Sequence, residues 1–121
     1  SKGLDTMIDW TRVNELRAEI GDDGFSEVVE LFLDEVEDVI RRLSSAPDPL
    51  RFEEDLHFLK GSAWNLGFRE LGQLCQAGER RASGGDLAID IAEILASYGG
   101  SKDAFVRGLA LQAAGQGSSA A

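Results

Sequence analysis

Residues 57–67 of the chain read HFLKGSAWNLG, which is the most informative stretch of the sequence. Apolar residues in it and just before it recur at the spacing of one helix face, namely Phe52, Leu56, Leu59, Ala63 and Leu66. Gly61 lies within this helix on nearly the opposite side, where a glycine costs about 1 kcal/mol relative to alanine. Gly61 therefore either lets another molecule approach His57, the only histidine, or is a tolerated surface glycine or the site of a close helix crossing.

The same stretch resembles the motif of the histidine-containing phosphotransfer (HPt) domain. That family is a four-helix module whose histidine carries a phosphoryl group between receiver-domain aspartates in phosphorelays. Weaker similarity continues into the acidic helix before the motif and into the pattern LxxLCxxxE after it, at 71–79. The departure is Trp64, on the histidine's side of the helix, where the family usually has a small residue. The positions that carry the resemblance are His57, Leu59, Lys60, Gly61, Ser62, Ala63, Leu66 and Gly67.

Length and composition indicate one domain, spanning residues 1–121. A chain of 121 residues buries most of its apolar surface without disulfides or metal. The single cysteine, Cys75, cannot form an intramolecular disulfide, which fits a reducing compartment. There is no apolar run long enough to span a membrane and no signal peptide, so we expect a cytoplasmic protein without a membrane partner.

Acidic residues outnumber basic residues by 22 to 12, which gives a formal net charge of −10. Binding to phosphate backbones relies on clustered lysine and arginine, so nucleic acid is not expected as a partner. Most of the acid lies on helix faces, where solvated charge favours solubility. Residues 1–6 precede Met7, which could open the native chain, and they are interpreted as a cloning remnant or a flexible segment without function.

Helical periodicity and chain breakers predict an all-α, antiparallel four-helix bundle of the HPt type. The pattern adds a short N-terminal helix, capped by Asp9 or Thr11 and ended by Gly21, and a short C-terminal helix from Ser101. The tail at 114–121 is expected to be disordered. The four main helices are predicted at 25–43, from about Leu50 to Gly67, at 69–82, and from Asp86 to Gly99.

The chemistry expected at His57 needs a second group. One nitrogen of a neutral imidazole attacks while the other keeps its proton and is oriented by an acceptor. In an antiparallel hairpin around Gly67, Gln76 and Glu79 come level with His57. Glu79 flanks the apolar stripe and is the predicted acceptor. The HPt resemblance agrees, because the family commonly has a polar acceptor, often glutamine, at the matching position. Gln76 stays an alternative. A surface glutamate paired with Arg80 or Lys60 is the other interpretation.

Lys60 follows His57 by one helical turn. Its ammonium could stabilise a phosphoryl group, which carries about two negative charges at neutral pH. Taken alone, a lysine beside an apolar stripe is usually a solvated side chain, and only the motif makes Lys60 a functional candidate. Trp64 is either a docking anchor or a core residue at the edge of the helix seam, and both interpretations stay open.

The resemblance implies that His57, through Nε2, attacks a receiver's phosphoaspartate and that the phosphoryl group then moves to another receiver. The partners would be response-regulator receiver domains and a hybrid sensor kinase. The receiver would bring its own Mg²⁺, so no cofactor or metal is expected here, and the carrier is expected to be a monomer without autonomous turnover. Clearance and docking are assigned to Gly61, Ser62, Trp64 and Gln76, with Leu33 and Ile40 on the long acidic helix.

Other classes of protein fit less well. A di-iron enzyme would use the Glu-x-x-His spacing of Glu54 and His57, but it needs that pair twice and the chain has one histidine. A Cys-His or Ser-His hydrolase has no nucleophile in a recognisable context. The main rival is an interaction module that binds receivers or kinases without carrying phosphate. A dimerising kinase bundle should show a long coiled-coil seam and an ATP-binding domain, and this sequence contains neither.

Overall fold

The computed structural model describes residues 7–120, with side chains to Gly115, and forms a ring of four helices. Each helix contacts its neighbours in the chain, and the first contacts the last, so the second and fourth lie diagonally opposite. This confirms the predicted all-α bundle. Residues 1–6 and Ala121 lie outside the described residues, so the interpretation of 1–6 stays a prediction. The helices are α1 (Trp10–Ser45), α2 (Phe52–Leu66), α3 (Arg69–Ser83) and α4 (Ile91–Ala120), with a 3₁₀ turn at Pro49–Arg51 before α2.

The apolar stripe of α2 forms part of the centre of the bundle. Each full burial of a leucine-sized side chain contributes about 1.5–3 kcal/mol, so this stripe fixes how α2 is rotated. The opposite side of α2, which carries His57, is consequently turned to solvent. All five predicted stripe residues are at most 5% exposed, namely Phe52, Leu56, Leu59, Ala63 and Leu66.

A tight turn at Gly67 joins α2 to α3. Gly67 has φ 81° and ψ 20°, the left-handed conformation that glycine adopts without steric cost. The Phe68 N–H donates to the Ala63 carbonyl at 2.8 Å, which completes the C-cap. The Gly67 carbonyl also accepts from the Asp9 N–H at 2.7 Å, so the same turn holds the start of α1. The predicted helix end at Gly67 is confirmed.

The first helix contains the predicted break but continues beyond it. Gly21 has φ 78° and ψ 165°, which interrupts α1 where the short N-terminal helix was expected to end. Of the two predicted caps, Asp9 is the one used, since its Oδ1 accepts from the Arg12 N–H at 3.2 Å. The helix resumes directly after Gly21 and not at Phe25, because Asp22 and Asp23 suit the positive end of the following helical segment.

The predicted division of the C-terminal half into two helices is wrong. Asp86 caps a turn, accepting from the Ala88 N–H at 3.0 Å, whereas Asp90 accepts from the Glu93 N–H at 3.0 Å at the start of α4. The helix then runs through Gly99 and Gly100 without a break. A Cβ on Gly100 would lie 2.8 Å from Met7 Cε, so this glycine permits a close crossing and does not end a helix.

The expected disordered tail also differs from the structure. The backbone of α4 continues to Ala120, through most of the segment at 114–121 that was expected to be disordered. Helix-favouring residues just before the tail, Leu111, Gln112 and Ala113, allow the helix to extend. In addition, Gln112 Oε1 accepts from Arg17 Nη1 at 2.8 Å, which fastens this part of α4 to α1.

Polar contacts join α1 to two of its neighbours. The carboxylate of Asp55, only 4% exposed, pairs with Arg42 and so links α2 to the end of α1. Glu37 accepts from the Tyr98 hydroxyl and from Lys102 Nζ, both at 2.5 Å, and these two bonds link α1 to α4. The same two donors, Lys102 first, lower the pKa of the Glu37 carboxyl.

Among the described residues, no helix combines the length and apolar character that a membrane span requires.

The two motif glycines should respond in opposite ways to alanine. At Gly67 an added Cβ would sit 2.7 Å from the Asp9 carbonyl oxygen and force a left-handed alanine, so Gly67→Ala should lower the free energy of unfolding by about 1–3 kcal/mol. At Gly61 a Cβ meets nothing within 4 Å, so Gly61→Ala should be neutral or stabilise by up to about 1 kcal/mol. Urea unfolding measures both, and equal effects would contradict this account.

Candidate functional site

His57 lies on the solvent side of α2. Its side chain is 69% exposed, in contrast to the buried stripe on the other side of the helix. One turn later Gly61 is also exposed, and a Cβ built on it would meet nothing within 4 Å. The described residues therefore place no helix against Gly61, which removes the close-crossing interpretation and leaves the helix surface beside the imidazole open.

Glu79 on α3 contacts both functional candidates of α2. Its Oε2 lies 2.8 Å from His57 Nδ1 and its Oε1 lies 2.6 Å from Lys60 Nζ. The contact follows from the hairpin: His57 is ten residues before Gly67 and Glu79 twelve after it, so equal rise along antiparallel helices brings them level. Glu79 therefore contacts the Nδ1 atom of His57, as predicted. It also pairs with Lys60, which was the alternative interpretation, so both contacts occur together.

The ionised form of Glu79 is stabilised by its two partners. Its pKa lies below the ordinary value of 4.5, first because Lys60 donates a hydrogen bond to it and then because His57 does. Partial burial opposes this shift, since the Glu79 side chain is 19% exposed. An ionised Glu79 is an acceptor only, so a neutral His57 keeps its proton on Nδ1 and leaves the lone pair on Nε2.

Two shallow depressions open to solvent meet at Glu79. One, of about 390 Å³, is lined by Leu50, Glu53, Glu54, His57 and Glu79. The other, of about 320 Å³, is lined by Glu53, Lys60, Gln76, Glu79, Arg80 and Ser83. Gln76, the alternative acceptor, therefore lines the neighbouring depression, while Glu79 separates the two. An exposed imidazole beside an open depression suits contact with a protein surface.

The predicted docking residues differ in how much of their surface is exposed. Ser62 is only 7% exposed, so the prediction that it gives clearance to a partner is wrong: it faces the bundle beside Ala63. Leu33 and Ile40 are partly buried and pack against the core, which places them at the edge of the helix seam, and their role in docking stays a prediction. Trp64 is 39% exposed, and its indole lies over Gly72 of α3.

Sequence analysis missed two features near His57. Leu50 is 89% exposed and borders the same depression as His57, yet it was treated only as the start of the motif helix. Its position seven residues before His57 was the available signal. Gly72 was missed as the seat of Trp64, because helical period alone does not show which residue of a neighbouring helix lies opposite.

The structure disfavours the two alternative enzyme classes, a Cys-His hydrolase and a di-iron enzyme. Cys75 is fully buried, and burial raises its pKa to about 12, so its thiol is not a nucleophile for a Cys-His pair. Glu54 is exposed and pairs with Arg51 at 3.5 Å, outside the bundle core where di-iron sites are built. Within residues 7–115 there is no group of three or more histidine, cysteine or acidic side chains arranged to hold a metal.

The stabilising contacts of Glu79 should depend on pH. Since folding lowers the pKa of Glu79, its contribution to stability is complete above the unfolded pKa, near 4.5, and is lost as pH falls through the lower folded pKa. The wild type should exceed Glu79→Gln in free energy of unfolding at about pH 7, and the gap should close below about pH 4.5.

Urea unfolding of both proteins at a series of pH values measures this gap. Glu53→Gln, which removes an exposed carboxylate that borders the same two depressions as Glu79, is the matched control and should show a smaller gap at neutral pH. A gap between wild type and Glu79→Gln that stays constant or widens in acid would contradict the role of the charged carboxylate.

Comparison with known protein families supports what the geometry indicates. The family model of the Hpt domain matches residues 27–114, more than two thirds of the chain, including all of α2 and α3. Comparisons with curated proteins and with solved structures gave no significant match. Hpt domains are phosphocarrier modules, not catalysts, and they work with response-regulator receiver domains in two-component phosphorelays. The chain belongs to the Hpt domain family.

Proposed function

We propose that His57 accepts a phosphoryl group from the phosphoaspartate of a receiver domain and passes it to the aspartate of a second receiver. The observation that carries this proposal is the contact between His57 Nδ1 and Glu79, made by a ring that is 69% exposed. One nitrogen is occupied by an acceptor, so the other is available for reaction at the surface. Family membership supports phosphotransfer in general, and this contact supports His57 as the carrier.

The transfer forms one bond and breaks one. His57 Nε2 attacks the phosphorus of the acyl phosphate, the N–P bond forms, and the P–O bond to the aspartate breaks with release of its carboxylate. The ring keeps its proton on Nδ1 and gains a formal positive charge. The Glu79 carboxylate, 2.8 Å from Nδ1, offsets that charge. Attack by the aspartate of the second receiver on the phosphohistidine reverses these steps.

Charges around the ring direct the phosphoryl group to one side. Glu53 and Glu54 lie one turn before His57 and repel a phosphoryl group with about two negative charges. Lys60 and the open surface of Gly61 lie one turn after it. We therefore place the phosphoryl group over Lys60 and Gly61, where the ammonium of Lys60 stabilises both the phosphohistidine and the charge in transfer.

The carrier needs no cofactor of its own in this proposal, because the receiver brings the Mg²⁺ that serves its aspartate. We propose that the chain acts as a monomer. We also propose that it works in the cytoplasm, a reducing compartment that the single, buried Cys75 fits. A hybrid sensor kinase is the proposed source of the phosphoryl group, delivered through its receiver domain.

Transfer from a panel of phosphorylated receiver domains tests the proposal. Wild-type protein should acquire an acid-labile, base-stable label, whereas His57→Gln should acquire none. Lys60→Ala should slow labelling about tenfold, because one charge-assisted contact is lost from the transfer. Binding to a receiver without labelling of the wild type would refute the carrier role and favour a phosphorylation-independent interaction module.

A further inference from the structure

Two large apolar side chains stay exposed beside His57. Leu50 is 89% exposed and Trp64 is 39% exposed. Trp64 lies seven residues after His57 on α2, and a spacing of seven returns to the same helix face. Leu50 lies seven residues before His57 in the 3₁₀ turn Pro49–Arg51, and it lines the depression that contains His57. With a rise of about 1.5 Å per residue in α2 and about 2.0 Å in the 3₁₀ turn, each is about 10–12 Å from His57 along the axis, and the two span about 20 Å.

The Trp64 indole is held in one position by α3. A Cβ built on Gly72 would lie 2.8 Å from Trp64 Cε2 and 3.0 Å from Cδ2, so the ring rests where only a glycine leaves room. Part of the indole remains uncovered. A tryptophan that is already ordered loses little side-chain entropy when a partner covers it, which makes it an efficient contact residue.

Leu50 is also presented by an ordered segment. It sits in the 3₁₀ turn Pro49–Arg51, whose start is capped by Asp48: the Asp48 Oδ1 accepts from the Leu50 N–H at 3.1 Å. The Arg51 N–H donates to the Asp48 carbonyl at 2.9 Å. Leu50 then lines the depression that also contains His57. Because Leu50 is almost fully exposed, packing within the domain does not explain why this position carries a large apolar side chain.

We propose that Leu50 and Trp64 are paired apolar anchors that set the register of a receiver domain over His57 Nε2. This inference rests on the proposed function. The partner is a receiver domain that carries apolar surface on two opposite sides of its phosphorylation pocket. A standard interface buries about 800 Å² per partner, a patch about 30 Å across, so one interface covers both anchors with His57 near its centre.

Charge favours a receiver over a second copy of this chain. Glu53 and Glu54 lie beside Leu50, and the chain has a net charge of −10, so two copies meeting on this face would bring like charges together. A receiver with a basic rim opposite Glu53 and Glu54 would instead be attracted. The two anchors also flank the reactive nitrogen, where only a phosphotransfer partner has to bind.

Transfer kinetics with the receiver that labels the wild type fastest test the anchors. Leu50→Ala and Trp64→Leu should each raise the half-saturating receiver concentration about tenfold while the plateau rate stays within about twofold, because they act on binding and not on the reacting atoms. The matched control is Leu111→Ala: Leu111 is 73% exposed, but on α4, diagonally opposite α2. Urea unfolding verifies that each variant is folded.

Fluorine NMR of the wild type with both tryptophans replaced by 5-fluorotryptophan is an independent readout. The Trp64 signal, assigned with Trp64→Phe, should shift when unphosphorylated receiver is added, while the signal of Trp10, which stacks on Phe105, should not. No shift of Trp64 at saturating receiver would overturn the proposal. A shift produced by raising the protein concentration alone would assign the face to a second copy and also overturn it.

The outcomes separate this inference from the function on which it rests. If the wild type is labelled and the variants keep its half-saturating concentration, the anchors are refuted and the carrier role stands. If the variants lower the plateau rate alone, Leu50 and Trp64 act on the chemistry and the docking proposal is refuted. If no receiver labels the wild type, the proposed function and the anchors are refuted together.

Discussion

The left-handed turn at Gly67 is the constraint on which the site depends. It reverses the chain within two residues, so that α2 and α3 run side by side in a fixed register. In that register Glu79 reaches His57, and a shift of one residue would rotate Glu79 about 100° away from it. The Gly67 carbonyl also binds the Asp9 N–H, so the turn that sets the register holds α1 in place as well. One residue without a side chain therefore couples the fold to the chemistry.

Within this frame a single carboxylate organises the charges of the site. Glu79 bridges an imidazole and an ammonium at 2.8 and 2.6 Å, and their hydrogen bonds lower its pKa despite partial burial. Because Lys60 and His57 share one partner, the ammonium is already held next to the ring, as the phosphoryl transfer that we propose requires. Preorganised charge of this kind costs no rearrangement during the reaction. The same carboxylate separates the two depressions, so it also shapes the surface that a partner meets.

The sequence predicted the parts of the structure that depend on local geometry. The α2 stripe, the end at Gly67 and the pairing of Glu79 with His57 follow from helical period and rise. Features that depend on neighbouring helices were predicted poorly. Gly100 reads as a helix breaker, yet the structure uses it to bring Met7 close to α4. Ser62 is one position from the exposed Gly61, yet the bundle covers it. The exposed position of Leu50 and the contact of Trp64 with Gly72 were missed for the same reason, because both involve residues of other helices.

The central claim is that Glu79 holds Nδ1 so that Nε2 of His57 carries the phosphoryl group. Phosphorus and nitrogen NMR of protein labelled with ¹⁵N-histidine and phosphorylated by a receiver tests it most directly. The account predicts one-bond coupling between phosphorus and Nε2 of His57, with Nδ1 still protonated. A phosphoryl group on Nδ1, or on any residue other than His57, would contradict it.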